Sequence, residues 1–318
     1  MLDVMRPSYL QNCCHCNNQP KFSTECVAER RPLHQLKTKM TVQAENAAAA
    51  NRNEQLEGEH VSVPRAGLLI VNADDWGREH ETTDRALDCF ERGALSSVSA
   101  MVFMEDSERA SAIARERGID AGLHLNLTVP FTGRCTPSGL AGHQCRISRY
   151  LQEHRYSQAI FHPGLTSSFR YSVAAQLAEF GRLYGTAPRR IDGHHHMHLC
   201  ANVVLGRLLP AGTVVRRNFS FGPGEKSFLN RLYRRTLDRT LARRHRMADL
   251  FFSLPPLEPP DRLRKIFSLA SNLVVEIETH PVNPDEYRFL AEGDIFSWVG
   301  DVPVAAGYGI PAEKENLA

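Results

Sequence analysis

The stretch "NADDWG", residues 72–77, sets two carboxylates side by side directly after the apolar run 68–71 and just before a tryptophan and a glycine. Adjacent acids repel, and a fold gains nothing obvious from them. The pair is either incidental, one aspartate capping a helix and the other solvated, or chemical. Three further stretches carry related residue types. "GLHLNLT" (122–128) sets Leu123, Leu125 and Leu127 against His124, Asn126 and Thr128, because side chains alternate faces along a strand. "RIDGHHHMHL" (190–199) places Asp192, His194, His196 and His198 on one face if the strand persists, each about 7 Å from the next. "NLVVEIETHPV" (272–282) opposes Glu276, Glu278 and His280 to Val275, Ile277 and Thr279. Each stretch alone has an ordinary reading: an interior histidine, a polar surface run, a pair of solvated glutamates. Four expected strands that all end in Asp or His point instead to a metal-hydrolase site, since these residue types bind divalent cations and move protons near neutral pH.

Elements must position those ends. From Gly67 onward, short apolar runs alternate with helical patterns. Strands are expected over 68–71, 98–103, 122–128 and about 190–196. Helices are expected over 83–92, stopped by Gly93, over 107–117, stopped by Gly118, and over 173–184, with Leu177, Phe180 and Tyr184 in register. The span 130–163 reads as loop-rich. This alternation implies parallel strands in an α/β fold, open sheet or barrel, in which chemistry gathers at the C-terminal strand ends.

Composition sets the outer bounds. The chain has 318 residues, 42% of them hydrophobic, enough for one α/β barrel of about 250 residues. Its 38 basic and 36 acidic residues leave a net charge of +2, which argues against a dedicated nucleic-acid binder. No apolar run approaches the roughly 20 residues that span a bilayer, and no compact apolar secretory core opens the chain, so a soluble, cytoplasmic protein is expected. The eight cysteines lack the pairing of a disulfide framework and read as free thiols. "CCHC" (13–16) has only Cys26 beyond it, not the second ligand pair of a structural zinc site. Residues 1–65 lack a sustained apolar stripe and are expected to be a disordered extension, leaving 66–318 as the folded domain. The segment "FLNRLYRRTLDRTLARRHR" (228–246) forms a basic helix with Leu229, Leu232, Leu237 and Leu241 as a partial apolar stripe. It reads as an outer helix packed by its leucines; its rival reading is a binding face for a membrane or nucleic acid.

In order and approximate spacing, "NADDWG", "GLHLNLT", "DGHHHMH" and "ETHPV" resemble the four motifs of the YdjC-like (ChbG/HpnK) carbohydrate deacetylases. The resemblance implies a deformed (β/α) barrel with mostly parallel strands. It also implies one divalent cation, Mg2+ or Zn2+, and removal of an N-acetyl group from an amino sugar in an oligosaccharide or glycolipid. Carried onto this chain, Asp75, His124 and His194 would be metal ligands, Asp74 the catalytic base and His280 the acid or the oxyanion-side group. Asp192, His196, His198 and Glu276 would stand behind the ligands or against the substrate. Trp76 departs from the phenylalanine usual in the family, Val282 departs from the glycine that commonly follows "HP", and residues 132–161 match nothing assignable. An amidase or esterase acting on a non-sugar substrate would use the same site. The basic helix leaves a peripheral membrane contact open, and a homodimer stays open as well.

Because residues 1–60 show no apolar periodicity to dock, their removal is expected to leave a folded, active protein, checked by circular dichroism and acetate release. Precipitation or loss of bound metal on truncation would make the tail part of the structure.

Overall fold

A computed structural model describes residues 67–154, 156–221, 224–300 and 302–310. The expected extension over 1–65, with its "CCHC" stretch, lies outside the described residues. Among those described, seven strands and nine α-helices run in the order β1 Leu68–Trp76, α1 His80–Glu91, β2 Ser97–Ala100, α2 Ser107–Arg117, β3 Ala121–Leu125, α3 Ser138–Glu153, α4 Thr166–Tyr184, β4 Arg190–Gly193, α5 Ala201–Leu205, β5 Val214–Val215, α6 Phe228–Ala242, β6 Leu250–Ser253, α7 Pro260–Leu269, β7 Val274–Thr279, α8 Pro284–Ala291 and α9 Asp294–Val299. None of these helices is long and apolar enough to cross a membrane. No disulfide joins the four cysteines among the described residues.

Every strand pairing is parallel, in the order β5-β4-β3-β2-β1-β7-β6. The sheet curls into a half-barrel, and its outer strands approach one another. Val215 N donates to Arg246 O at 2.9 Å, and Ser220 N donates to Phe251 O at 2.8 Å. Strand alternation divides the two faces. Leu69, Val71, Ala73, Leu123, Leu125, Ile191, Val275 and Ile277 join the main core with the helices. The inner face starts apolar, with Ile70, Val214 and Val274 packed around Tyr308. It then turns polar through Asn72, Ser97, Ser99 and Glu276, all fully buried, toward the C-terminal strand ends where the acids and histidines collect.

The expected α2 is realised over the same residues, with Gly118 in the left-handed region at its C-terminus. Other expectations are corrected: β2 ends at Ala100 and not at Phe103, and β3 ends at Leu125 and not at Thr128. β1 continues through the polar residues to Trp76, because Asn72 and the aspartates find partners inside the barrel. Residues 130–163 are not simply loop. They contain α3, whose buried Leu140, Gln144, Ile147 and Leu151 keep helical spacing, with Gln144 Oε1 accepting from Phe131 N at 3.3 Å. β5 and β6, not expected from the sequence, complete the sheet. Finally, β4 ends at Gly193 and does not carry on to residue 196: a 3-10 turn covers His194–Leu199, with His195 and His196 at φ 54° and 59°. The four alternate residues of "DGHHHMH" therefore do not share one strand face.

That turn folds back tightly on its strand. A Cβ at Gly193 would lie 2.9 Å from His198 N and 3.0 Å from its ring, so Gly193→Ala is expected to lower stability by about 1–3 kcal/mol in urea unfolding. A variant as stable as the parent would mean that the turn relaxes freely.

Candidate active site

Consecutive residues of a regular strand point to opposite faces, so Asp74 and Asp75 should not meet. They do. Asp75 adopts φ 65°, and the β1–β2 register shifts between Ala73 and Trp76, the mark of a bulge that re-aims a side chain. His124 Nε2 consequently lies 3.3 Å from Asp75 Oδ1 and 4.0 Å from Asp74 Oδ2. Fully buried Trp76 secures the strand end, donating from Nε1 to Ala110 O at 3.2 Å.

Asp75 Oδ1 is where three predicted residues converge. His194 Nδ1 stands 2.8 Å from it and His124 Nε2 3.3 Å, and donor atoms of the three buried side chains lie within 4.8 Å of one another. Arg78 Nη1 donates to the other oxygen at 3.0 Å. Burial opposes ionisation of Asp75, yet His194 and His124 hold its carboxyl well below the usual range. Behind His124, Asp192 Oδ1 takes the Nδ1 side at 2.8 Å, which fixes the ring and leaves Nε2 facing the centre. Burial pulls the His124 pKa down, but Asp74, Asp192 and Asp75 hold it up at about 10. His194 Nε2 is buried without a hydrogen-bond partner, an orphaned donor atom of the kind a bound cation satisfies.

Asp74 is held quite differently. Arg216, fully buried just beyond β5, grips it through both terminal nitrogens, Nη1 to Oδ2 at 2.7 Å and Nη2 to Oδ1 at 2.8 Å. Asn72 Nδ2 donates to Oδ1 at 2.8 Å. Despite burial, Arg216 and His124 keep the Asp74 carboxyl ionised, below its ordinary range. The same guanidinium meets Asp192 at 3.0 Å, Glu276 at 2.7 Å and Glu278 at 3.3 Å. Burial raises Glu276 despite its arginine, and burial with neighbouring Asp74 pushes Glu278 up to about 8.

Other predicted residues take less expected places. Glu276 orients no histidine: it binds Arg216 and the Tyr308 hydroxyl. His198 turns from the centre to Arg216 O, 2.9 Å from Nε2. His196 packs edge-on against Phe219 with its Nε2 3.6 Å from Glu278. His280 is anchored through its backbone N, which donates to Glu286 at 2.9 Å. Burial opposes the charge on its ring, but Asp74, Asp75 and Glu278 raise its pKa. Sequence reasoning missed Arg216, Arg190 and His195. Arg190 supports Asp192 at 3.2 Å and Ser99 at 2.8 Å from where a Gly122 side chain would collide, 2.6 Å from its guanidinium carbon. His195, exposed beside His194, meets Thr128 Oγ1 at 3.1 Å. The one sequence signal for Arg216 was a cation following the short apolar pair Val214–Val215.

The sequence model of the family described as YdjC-like protein matches residues 68–296. A carbohydrate deacetylase of Mus musculus is 31% identical over 149 residues, 45% of this chain and 46% of that protein. A chitooligosaccharide deacetylase of Serratia marcescens is 30% identical over 133 residues, 42% and 51% of the two. The chain thus spans about half the length of the curated relatives it matches. In fold it resembles a crystal structure from Enterococcus faecalis V583 described as a proposed cellobiose-phosphate cleavage protein. That likeness has a TM-score of 0.54 and 17% identity, covering 76% of this chain and 97% of that one.

Removing Arg216 takes the shared cation from four buried carboxylates. Arg216→Gln is expected to cost about 3–5 kcal/mol in denaturant unfolding, and Arg216→Lys to recover only part, because an ammonium cannot fork to Asp74. Unchanged stability in the glutamine variant would show that the cluster relaxes by taking up protons.

Proposed function

Since the chain belongs to the YdjC-like protein family, we propose that it is a metal-dependent hydrolase that removes N-acetyl groups from an amino sugar in an oligosaccharide or glycolipid. One observation carries this reading: two adjacent carboxylates both approach His124 but have different partners, Asp75 facing two histidines with Arg78 on its other oxygen and Asp74 gripped by the buried Arg216. The names of the mouse and Serratia relatives support an acetylated sugar as the substrate class. In this reading residues 66–318 carry the whole catalytic unit and 1–65 are an accessory extension.

The donor set of Asp75, His124 and His194 fits a divalent cation, with the orphaned His194 nitrogen and the converging Asp75 oxygen as its marks. One carboxylate and two imidazoles suit zinc, and a site completed by water also admits magnesium. Bound there, the cation would supply Lewis-acid chemistry, polarising the acetamide carbonyl and acidifying water. Asp74 takes the proton from the water whose oxygen attacks the carbonyl carbon. Arg216 keeps that carboxylate ionised and aimed while the proton is transferred. His280, its proton held by the surrounding acids, delivers it to the nitrogen as the C–N bond breaks, so acetate and a free amino sugar leave.

The two aspartates are expected to fail differently. Asp75→Ala should lose most of its metal. Asp74→Asn should keep the metal while acetate release slows about 10²- to 10⁴-fold, the usual range for a positioned base. Elemental analysis and acetate assays at saturating cation decide it. The reverse metal pattern exchanges the roles, and two fully active variants would sink the site.

A further inference from the structure

The outer face of α6 is not used by the chemistry above. Its buried side is set by Asn230, Asp238 and Leu241, and Asp238, the only acid in the helix, is turned inward. It accepts from Asn218 N at 3.0 Å and pairs with Arg217 at 3.1 Å, which fixes the helix to the segment carrying Arg216. The opposite side follows the spacing 228, 232, 235, 239, 243, one continuous helical face. It opens with apolar side chains left in water: Phe228 is 70% exposed, Leu229 75% and Leu232 47%. It continues with Arg235, Arg239 and Arg243, all exposed. At the C-terminal end of α6 a cavity of about 400 Å³ has an apolar floor of Val203, Leu209 and Leu241 and a rim of Arg207, Arg243 and Arg244.

We propose that this face docks on the surface of an anionic lipid bilayer, with Phe228, Leu229 and Leu232 in the interface and the arginines, including the rim of the cavity, on lipid phosphates. Exposed aromatic and aliphatic side chains beside an all-cationic stripe are what an interfacial helix requires. Each arginine near an anionic leaflet adds to the attraction, and its fork matches a phosphate. Other occupants satisfy only half of the face. A second copy docked symmetrically would set arginines against arginines. A nucleic acid would take the cations and leave three large apolar side chains against phosphates and water.

The test is co-sedimentation of the full chain with vesicles of phosphatidylcholine alone or mixed with phosphatidylglycerol, at low and high salt. Binding is expected only to the mixed vesicles, weakening with salt. The Arg235→Gln/Arg239→Gln/Arg243→Gln variant should bind at least about ten-fold more weakly. The Phe228→Ser/Leu229→Ser variant, altered only at exposed positions, should also lose affinity while its near-UV circular dichroism and its mass by light scattering stay those of the parent. Equal binding to both vesicle types, or wild-type binding by both variants, overturns the proposal. So does a dimer that the variants dissociate, or tighter binding to duplex DNA than to mixed vesicles. None of these readouts involves hydrolysis, so docking and deacetylation stand or fall separately.

Discussion

A single buried guanidinium organises the half-barrel interior. Arg216 is fully buried and meets carboxylates from three strands: Asp74 from β1, Asp192 from β4, and Glu276 and Glu278 from β7. Isolated charges in such a place would be prohibitively costly, and a pair is tolerated only with good geometry and saturated hydrogen bonding. The surroundings meet both conditions. Ser99 bridges Asp192 and Arg190, Asn72 bridges Asp74 and Ser97, and Phe251 covers the guanidinium with its ring centroid 5.0 Å away. Because strands on both sides of the barrel must reach one central cation, the sheet has to curl, so the electrostatics and the architecture require each other.

The same cluster is unbalanced by charge, and this bears on its chemistry. Asp74, Asp75, Asp192, Glu276 and Glu278 pair with three permanent cations, Arg78, Arg190 and Arg216. The surroundings favour protons against part of this excess: burial and neighbouring Asp74 push the Glu278 carboxyl up to about 8, and Asp74, Asp192 and Asp75 hold the His124 imidazole up at about 10. A divalent cation on Asp75, His124 and His194 would balance the same excess without them, since imidazole must be neutral to ligate. Proton and metal are alternative answers to one surplus of negative charge.

Much of this was legible in sequence wherever residue type and strand parity act together. In "GLHLNLT" and "NLVVEIETHPV" alternation correctly separated the leucines, Val275 and Ile277 of the outer core from His124, Glu276 and Glu278 within. It failed at 194–199, where His195 and His196 take left-handed backbone and parity loses its meaning. It failed for α3 because Gln144 interrupts the apolar stripe to serve loop backbone. Arg216 was hidden by a two-residue strand, too short to carry a period, and its value depends on partners far away in sequence. Glu276 was on the correct face, but no local pattern could tell an arginine partner from a histidine one.

Where local preference fails, the backbone is strained, and the strained positions crowd the strand ends. Asp75, Phe103, His195 and His196 all have positive φ, at about 1–3 kcal/mol each for non-glycine residues. At Asp75, extended backbone would send the side chain away from Asp74 and the barrel; the left-handed turn brings both carboxylates to His124. Proximity alone would make them equivalent acids that compete for one proton. They are not equivalent, because Asp75 meets two imidazoles while Asp74 receives both nitrogens of Arg216. The different settings of the adjacent aspartates thus come from elements far apart in sequence, and the bulge is what allows two neighbours in the chain to reach them.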